Sequence, residues 1–121
     1  MENRSLVVLT TVGAALASTI WGAFAALAMY GAMNGVTISN TQLALSVVLV
    51  VLYALRAYKV YNGDLSAARR LVWLHAIGAI ASIAVVAQLG GAFPILTALY
   101  AAKIVVHVFG GIPALLLSRR V

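Results

Sequence analysis

The sequence predicts an all-α integral membrane protein, a four-helix bundle of two antiparallel transmembrane hairpins with both termini in the cytoplasm. Of the 121 residues, 64% are hydrophobic and 8% are charged, and the mean hydropathy is +1.10. These values lie outside the range of water-soluble domains. Four apolar runs reach or approach the length of about 18 residues that is typical of a membrane-spanning helix. Their connections are short, so we expect residues 1–121 to form a single transmembrane domain.

The first two predicted spans cover about residues 6–30 and 42–58. Small residues at helical spacing let neighbouring helices approach closely, which predicts that one face of the first span packs against protein. These small residues form two rows, Gly13, Ala17 and Ala25 in one and Ala14, Ser18, Gly22 and Ala26 in the other. The second span is rich in Val and Leu, which is typical of a lipid-facing surface. Tyr53, Tyr58 and Tyr61 are predicted to anchor it at the cytoplasmic interface.

The last two predicted spans cover about residues 71–89 and 94–118. The turn sequence "YNGD" precedes the third span, where Asp64 or Ser66 is a predicted N-cap of the helix. The short connection "GGAF" joins the third span to the fourth, and Pro94 suits the first turn of a helix. Spans three and four therefore form an antiparallel hairpin.

The basic residues predict the orientation of the chain. With four spans, seven of the eight Lys and Arg residues fall on one side, namely Arg4, Arg56, Lys59, Arg69, Arg70, Arg119 and Arg120. Such a bias marks the cytoplasmic side, so both termini are expected in the cytoplasm of a multi-pass plasma-membrane protein. In this setting the net charge of +6 indicates contact with lipid headgroups rather than with nucleic acid. The absence of cysteine excludes disulfides and thiolate metal sites.

One lysine lies at mid-depth in the predicted bundle. Lys103 follows Pro94 by nine residues, which places it about 13 Å from the outer surface of a hydrocarbon core about 30 Å thick. The only acids, Glu2 and Asp64, lie at the cytoplasmic edge and cannot reach it. Either Lys103 snorkels or is neutral, or it meets an anion from another molecule, such as a partner carboxylate, a haem propionate or a lipid headgroup.

Two intramembrane histidines are candidate cofactor ligands. Tyr100, Lys103 and His107 share one helix face, and His75 opens a second polar stripe with Gly78 and Ser82. Histidines on adjacent antiparallel helices are the axial ligands of membrane b-type cytochromes, so His75 and His107 are possible haem iron ligands. Counted from the Arg70 and Arg119 edges, the depths of His75 and His107 are about 8 and 18 Å. The two histidines could ligate one haem only if this difference in depth were closed. The alternative is hydrogen bonding to backbone, to a partner or to a quinone.

The sequence contains no intramembrane acid, no paired carboxylates and no metalloprotease or nucleotide-binding motif. We therefore expect the chain to have no catalytic activity of its own.

From about Asn40 onward the chain resembles the small four-span proteins that accompany haem-copper cytochrome oxidases, including CtaM-type assembly factors. The resemblance lies in "LRAYKVYNGDLSAARRLVWLHAIGAI" and in "LYAAKIVVHVFGGIPALLLSRR", with Tyr100, His107 and Pro113 at matching positions. This chain differs in having Ala68 before Arg69, where the family has His.

These observations lead to three functional hypotheses. The first is a small accessory subunit or assembly partner of a respiratory membrane complex, with a haem-copper terminal oxidase as the complex that the resemblance implies. In that hypothesis Lys103 and His107 lie on the docking or cofactor-facing side. The second is a stand-alone b-type haem cytochrome that uses His75 and His107. The third is a small homo-oligomeric channel or carrier in which Lys103 selects anions.

Overall fold

The computed structural model describes residues 3–35 and 39–120, and four helices make up most of them. They are α1 (Asn3–Met33), α2 (Asn40–Tyr61), α3 (Ser66–Leu89) and α4 (Pro94–Ser118). Each helix is long and apolar enough to cross a membrane. The prediction of an all-α chain with four helices long enough to span a membrane is thereby confirmed for the described residues. Glu2, predicted at the cytoplasmic edge, lies outside the described residues, as do residues 1, 36–38 and 121.

Three of the helices extend beyond the apolar runs that predicted them. The extension is largest at the start of α3, which begins at Ser66 rather than near residue 71. Apolar runs mark only the part of a helix that suits lipid, whereas backbone hydrogen bonding continues into the interfacial layer. α4 coincides with its predicted span because Pro94 starts it, and it continues through Pro113 to Ser118.

The start of α3 is held differently from the prediction. The N-cap residue is Leu65, whose side chain makes no capping hydrogen bond. The prediction of Asp64 or Ser66 as the N-cap is therefore wrong. Instead Asp64 Oδ1 accepts hydrogen bonds from the Ser66 hydroxyl at 2.5 Å and from the Ser66 backbone N–H at 3.2 Å. The bond from the Ser66 hydroxyl is the main reason that the pKa of the Asp64 carboxyl lies below its ordinary value.

The helices form an up-and-down ring in which each packs on its neighbours in the sequence and α4 packs on α1. The packing is most extensive between α3 and α4 and between α1 and α2, and it is least extensive between α2 and α3. One end of the bundle has an apolar core that includes Leu6, Val60, Leu71 and Leu117. We call this the basic end, because all Lys and Arg residues of the chain except Lys103 lie toward it. Arg120 there donates a hydrogen bond to Asn3 Oδ1 at 2.5 Å.

Glycine allows α1 and α4 to cross in contact. A Cβ added at Gly13 would lie 2.5 Å from the Cα of Gly110, so no side chain fits between the two backbones. In the first predicted row of small residues, Gly13, Ala17 and Ala25 are buried as expected. In the second row Ser18 donates a hydrogen bond to the Val50 carbonyl on α2 at 2.8 Å. The small-residue faces of α1 are therefore used inside this chain.

Candidate functional site in the bundle interior

Polar side chains from all four helices meet in the interior of the bundle. Thr10 on α1, His75 and Ser82 on α3, and Lys103 and His107 on α4 are buried polar or charged residues. Tyr53 on α2 is also fully buried and reaches the same region. The interior therefore combines an ammonium group, two imidazoles, hydroxyl groups and several aromatic rings.

Lys103 is enclosed by aromatic rings of its own chain. Its side chain is 2% exposed, so it does not snorkel to either surface. Its Nζ atom lies 3.3 Å from the centroid of the Trp21 ring. The Phe24 ring is 4.4 Å away and the Tyr100 ring is 4.9 Å away. These distances are within the range of cation–π attraction, which is strongest in desolvated sites.

No carboxylate stabilises this ammonium group within the described residues. Asp64 is the one carboxylate side chain among them, and it lies in the turn between α2 and α3 at the basic end. Lys103 and His107 both face the interior, so in this arrangement they are not on a docking surface that a partner touches directly. Burial excludes snorkelling, whereas a neutral Lys103 and a countercharge from another molecule both remain predictions. The structure adds that aromatic faces supply the contacts nearest to Nζ.

A cavity of about 270 Å³ adjoins Lys103 in the half of the bundle remote from the basic end. We call it the lysine cavity. It is lined by all four helices, through Trp21, Phe24, Ala28, Gln42, Leu43, Leu45, Ser46, Ala81, Ser82, Val85, Tyr100 and Lys103. Lys103 is the one charged residue in this lining, and neither histidine contributes to it.

The two histidines lie in direct contact on the other side of Lys103. The Nδ1 atoms of His75 and His107 are 3.0 Å apart, which is a hydrogen-bonding distance. The Trp21 indole N–H donates to His107 Nε2 at 3.3 Å. The Tyr53 hydroxyl donates to the Leu74 carbonyl at 2.7 Å, and its oxygen is 3.4 Å from His107 Nδ1. The histidine pair thus joins α1, α2, α3 and α4.

These contacts imply the tautomer of each histidine. An indole N–H can only donate, so His107 Nε2 accepts and a neutral His107 carries its proton on Nδ1. That N–H donates to His75 Nδ1, and a neutral His75 therefore carries its proton on Nε2. His75 Nε2 is buried and has no hydrogen-bond partner in the described part of the chain. The hydrogen bonds therefore run in one direction, from Trp21 through His107 to His75.

Two glycines leave room for the imidazole rings. A Cβ on Gly78 would lie 2.5 Å from His107 Nε2, and one on Gly110 would lie 2.8 Å from His75 Nε2. Each histidine thus occupies the space that a glycine leaves on the opposite helix of the α3–α4 hairpin.

The predicted difference in depth between His75 and His107 is wrong, because their rings are in contact. The prediction counted depth from Arg70, whereas α3 begins at Ser66. His75 is nine residues from that helix end and His107 is eleven from Ser118, a difference of about 3 Å.

The paired imidazoles do not fit a bis-histidine haem in this arrangement. Axial ligands lie on opposite faces of the porphyrin, and metal–nitrogen bonds of about 2 Å would hold the two nitrogens about 4 Å apart. Here the Nδ1 atoms are 3.0 Å apart and hydrogen-bonded to each other, and each Nε2 atom lies beside a glycine of the opposite helix. The rings also pack against the backbones of Gly78 and Gly110, which leaves no slot for a flat macrocycle. Separation of α3 from α4 would be needed to admit one.

Three aromatic residues contribute to the site, and the sequence predicts their roles only in part. Tyr53 is predicted as an interfacial anchor, and this is wrong, because it is fully buried with its hydroxyl bonded to Leu74. Trp21, which lies beside the small-residue rows of the first span, contacts both Lys103 and His107. Phe24 is not predicted from the sequence. Its position three residues after Trp21 could have suggested it, because residues at that spacing share a helix face.

The residues that this structure describes contain no group of three or more His, Asp or Glu side chains placed to hold a metal ion. Comparisons with protein-family models, with curated proteins and with solved structures find no match to this chain. The chemistry of the interior therefore has to indicate the function.

Proposed function

We propose that this chain is a non-catalytic accessory subunit or assembly partner of a respiratory membrane complex, with a haem-copper terminal oxidase as the first candidate. The observation that carries the proposal is the make-up of the interior. It holds Lys103, His75, His107 and Tyr53 in fixed contacts but contains no carboxylate among its described residues. Such a set can hold a group or a helix in place, and it lacks the intramembrane carboxylate that proton-coupled transporters typically use.

The resemblance over residues 40–120 supplies the class of complex. Its two segments contain much of the α3–α4 hairpin, including both histidines and Lys103. These residues give the hairpin its contacts with the rest of the bundle. The proposed role is therefore that of a rigid four-helix unit whose outer surface contacts a larger membrane protein.

The outer surface of α3 offers the large apolar residues that such a contact needs. Trp73, Ile77 and Ile80 project outward at helical spacing, with exposed fractions of 71%, 62% and 68%. Lipid covers apolar surface as well as a partner helix does, so exposure alone does not assign a partner. We propose that the basic end faces the cytoplasm, because clusters of Lys and Arg favour that side of a membrane.

The experiment that tests the proposal is copurification from the native membrane. A tagged chain, solubilised in mild detergent, is expected to bring down the subunits of a haem-copper oxidase. Ile77→Ala together with Ile80→Ala should reduce this recovery, while Val48→Ala with Val51→Ala on the exposed face of α2 serves as the matched control. Recovery of the chain alone, together with unchanged oxidase content in a deletion strain, would contradict the proposal.

A spectrum of the same preparation tests the cytochrome alternative. The contact between the imidazoles predicts no Soret band in stoichiometric amount with this chain. A stoichiometric band that His107→Ala abolishes would replace the accessory role with that of a b-type cytochrome.

A further inference from the structure

The lysine cavity has the features of a ligand site. Its volume of about 270 Å³ is close to the lower end of the range of about 300–1,000 Å³ found for small-molecule pockets. It also lies between helices of a bundle, which is a common place for such sites. Gln42 and Leu43 belong to the first turn of α2, and Tyr100 belongs to the second turn of α4. The cavity is therefore near the uncharged end of the bundle.

Lys103 makes this cavity selective for negative charge. It is the one charged residue of the lining, it is almost fully buried, and no ion pair stabilises it within the described residues. Aromatic faces attract an ammonium group, but they carry no net charge and leave the charge of +1 uncompensated. A buried charge without a counterion is costly, so an anion that enters the cavity gains a strong interaction with Nζ.

The rest of the lining favours an apolar body on the ligand. Phe24, Leu45, Ala81 and Val85 contribute apolar surface. The hydroxyls of Ser46 and Ser82 donate to carbonyls of their own helices, at 3.0 and 2.8 Å. The cavity has room for several water molecules, but most of its lining is apolar and offers them few hydrogen-bond partners. An amphipathic occupant suits this lining better than water does.

A single cation and an apolar lining together indicate a singly charged oxyanion on a hydrocarbon body. We propose that the lysine cavity binds a lipophilic monocarboxylate, with its carboxylate at Lys103 Nζ and its chain against Phe24, Leu45 and Val85. A phosphate group with two charges would leave one of them without a counterion. This binding site goes beyond the proposed accessory role, because it depends only on contacts within one chain.

The two tryptophans of the chain allow a direct test. Trp21 lines the cavity, whereas Trp73 is 71% exposed on the outer surface of α3. In a Trp73→Phe background, Trp21 is the sole tryptophan and its fluorescence reports on the cavity. The probe is 2-bromoundecanoic acid, whose bromine lies next to the carboxylate and quenches a nearby indole. The matched neutral probe is 2-bromoundecan-1-ol. Both are titrated into the purified chain in detergent.

The acid is expected to quench Trp21 saturably, and the alcohol to quench it only weakly and without saturation. Lys103→Met should weaken the acid by about tenfold or more, as expected for loss of a charge-assisted contact. Lys59→Met, which removes a lysine near the cytoplasmic end of α2, should leave the titration unchanged. Ala28→Phe should also abolish saturation by filling the cavity without altering Lys103.

Three results would overturn the assignment. One is equal saturable quenching by the acid and the alcohol. Another is unchanged binding in both Lys103→Met and Ala28→Phe. The last is displacement of the acid by a neutral short-chain quinone, which would make the site selective for carbonyl acceptors instead. All of these are measured on the chain alone, so they are independent of the copurification experiment.

Discussion

Lys103 shows how a single buried charge is accommodated in an apolar protein. The nearest partners of its Nζ atom are the faces of Trp21, Phe24 and Tyr100, at 3.3 to 4.9 Å. Trp21 has two tasks, because its ring face meets the ammonium group while its N–H bonds His107. The loss of this one side chain should therefore affect both the lysine and the histidine pair.

The two tryptophans form a matched pair for testing this role. Trp21→Leu should lower the free energy of unfolding by about 2 kcal/mol or more, the value of a desolvated cation–π contact. Trp73→Leu, on the exposed outer surface of α3, should change it by less than about 0.5 kcal/mol. Unfolding by titration with sodium dodecyl sulfate in mixed micelles measures both. Equal losses for the two variants would show that Trp21 contributes only general apolar packing.

The histidine pair makes a prediction about protons. In ¹⁵N NMR spectra of protein labelled at histidine, His107 should be the Nδ1–H tautomer and His75 the Nε2–H tautomer, because the hydrogen bonds start at the Trp21 indole. Trp21→Phe removes that donor and should release His107 from its single tautomer. The same tautomer on both histidines of the unaltered chain is the result that this arrangement forbids.

At the scale of the helices, glycine decides how close the backbones come. Gly13 meets Gly110 at the crossing of α1 and α4, and Gly78 receives the ring of His107 between α3 and α4. In a membrane such close approach is a main source of helix association, because lipid removes the hydrophobic driving force. The glycines that matter are those without room for a methyl group.

Two glycines of α1 test this point on one helix. A methyl group at Gly13 would lie 2.5 Å from Gly110 Cα, so Gly13→Ala should cost about 1–3 kcal/mol as the helices separate. At Gly22 the nearest atom is Val50 Cγ2 at 3.8 Å, so Gly22→Ala should be neutral or should gain up to about 1 kcal/mol. Unfolding titrations in mixed micelles compare the variants. A loss as large at Gly22 as at Gly13 would remove the special status of the crossing.

For the whole molecule, the charge distribution predicts how the chain sits in the membrane. Asn62 lies in the turn at the basic end and Ala92 in the connection at the opposite end. The chain has no cysteine, so Asn62→Cys and Ala92→Cys each introduce a single thiol. In intact cells a membrane-impermeant maleimide should label Ala92→Cys only, and permeabilised cells should label both. Labelling of Asn62→Cys from outside would invert the topology.

The four helices and the clustering of basic residues could be predicted because both depend on composition and on distance along the chain. Burial of His75, Lys103 and His107 inside the bundle also follows from the high cost of polar groups in lipid. The partners of these residues could not be predicted. They depend on the relative depth of the helices. Because α3 begins at Ser66 and not near residue 71, His75 lies several ångströms farther from the start of its helix than predicted. Tyr53 was misplaced because a tyrosine in an apolar run looks the same whether it faces lipid headgroups or a buried carbonyl.

The uneven packing around the ring has a mechanical consequence. The groups that surround the Lys103 ammonium lie on α1 and α4, which are joined at the Gly13–Gly110 crossing. The facing wall, which includes Leu45 and Val85, lies on α2 and α3, which have the least contact of the neighbouring pairs in the ring. If the two hairpins move apart, the contact between α1 and α4 stays closed and acts as the hinge. The cation would keep its aromatic enclosure while the opposite side opens to the bilayer.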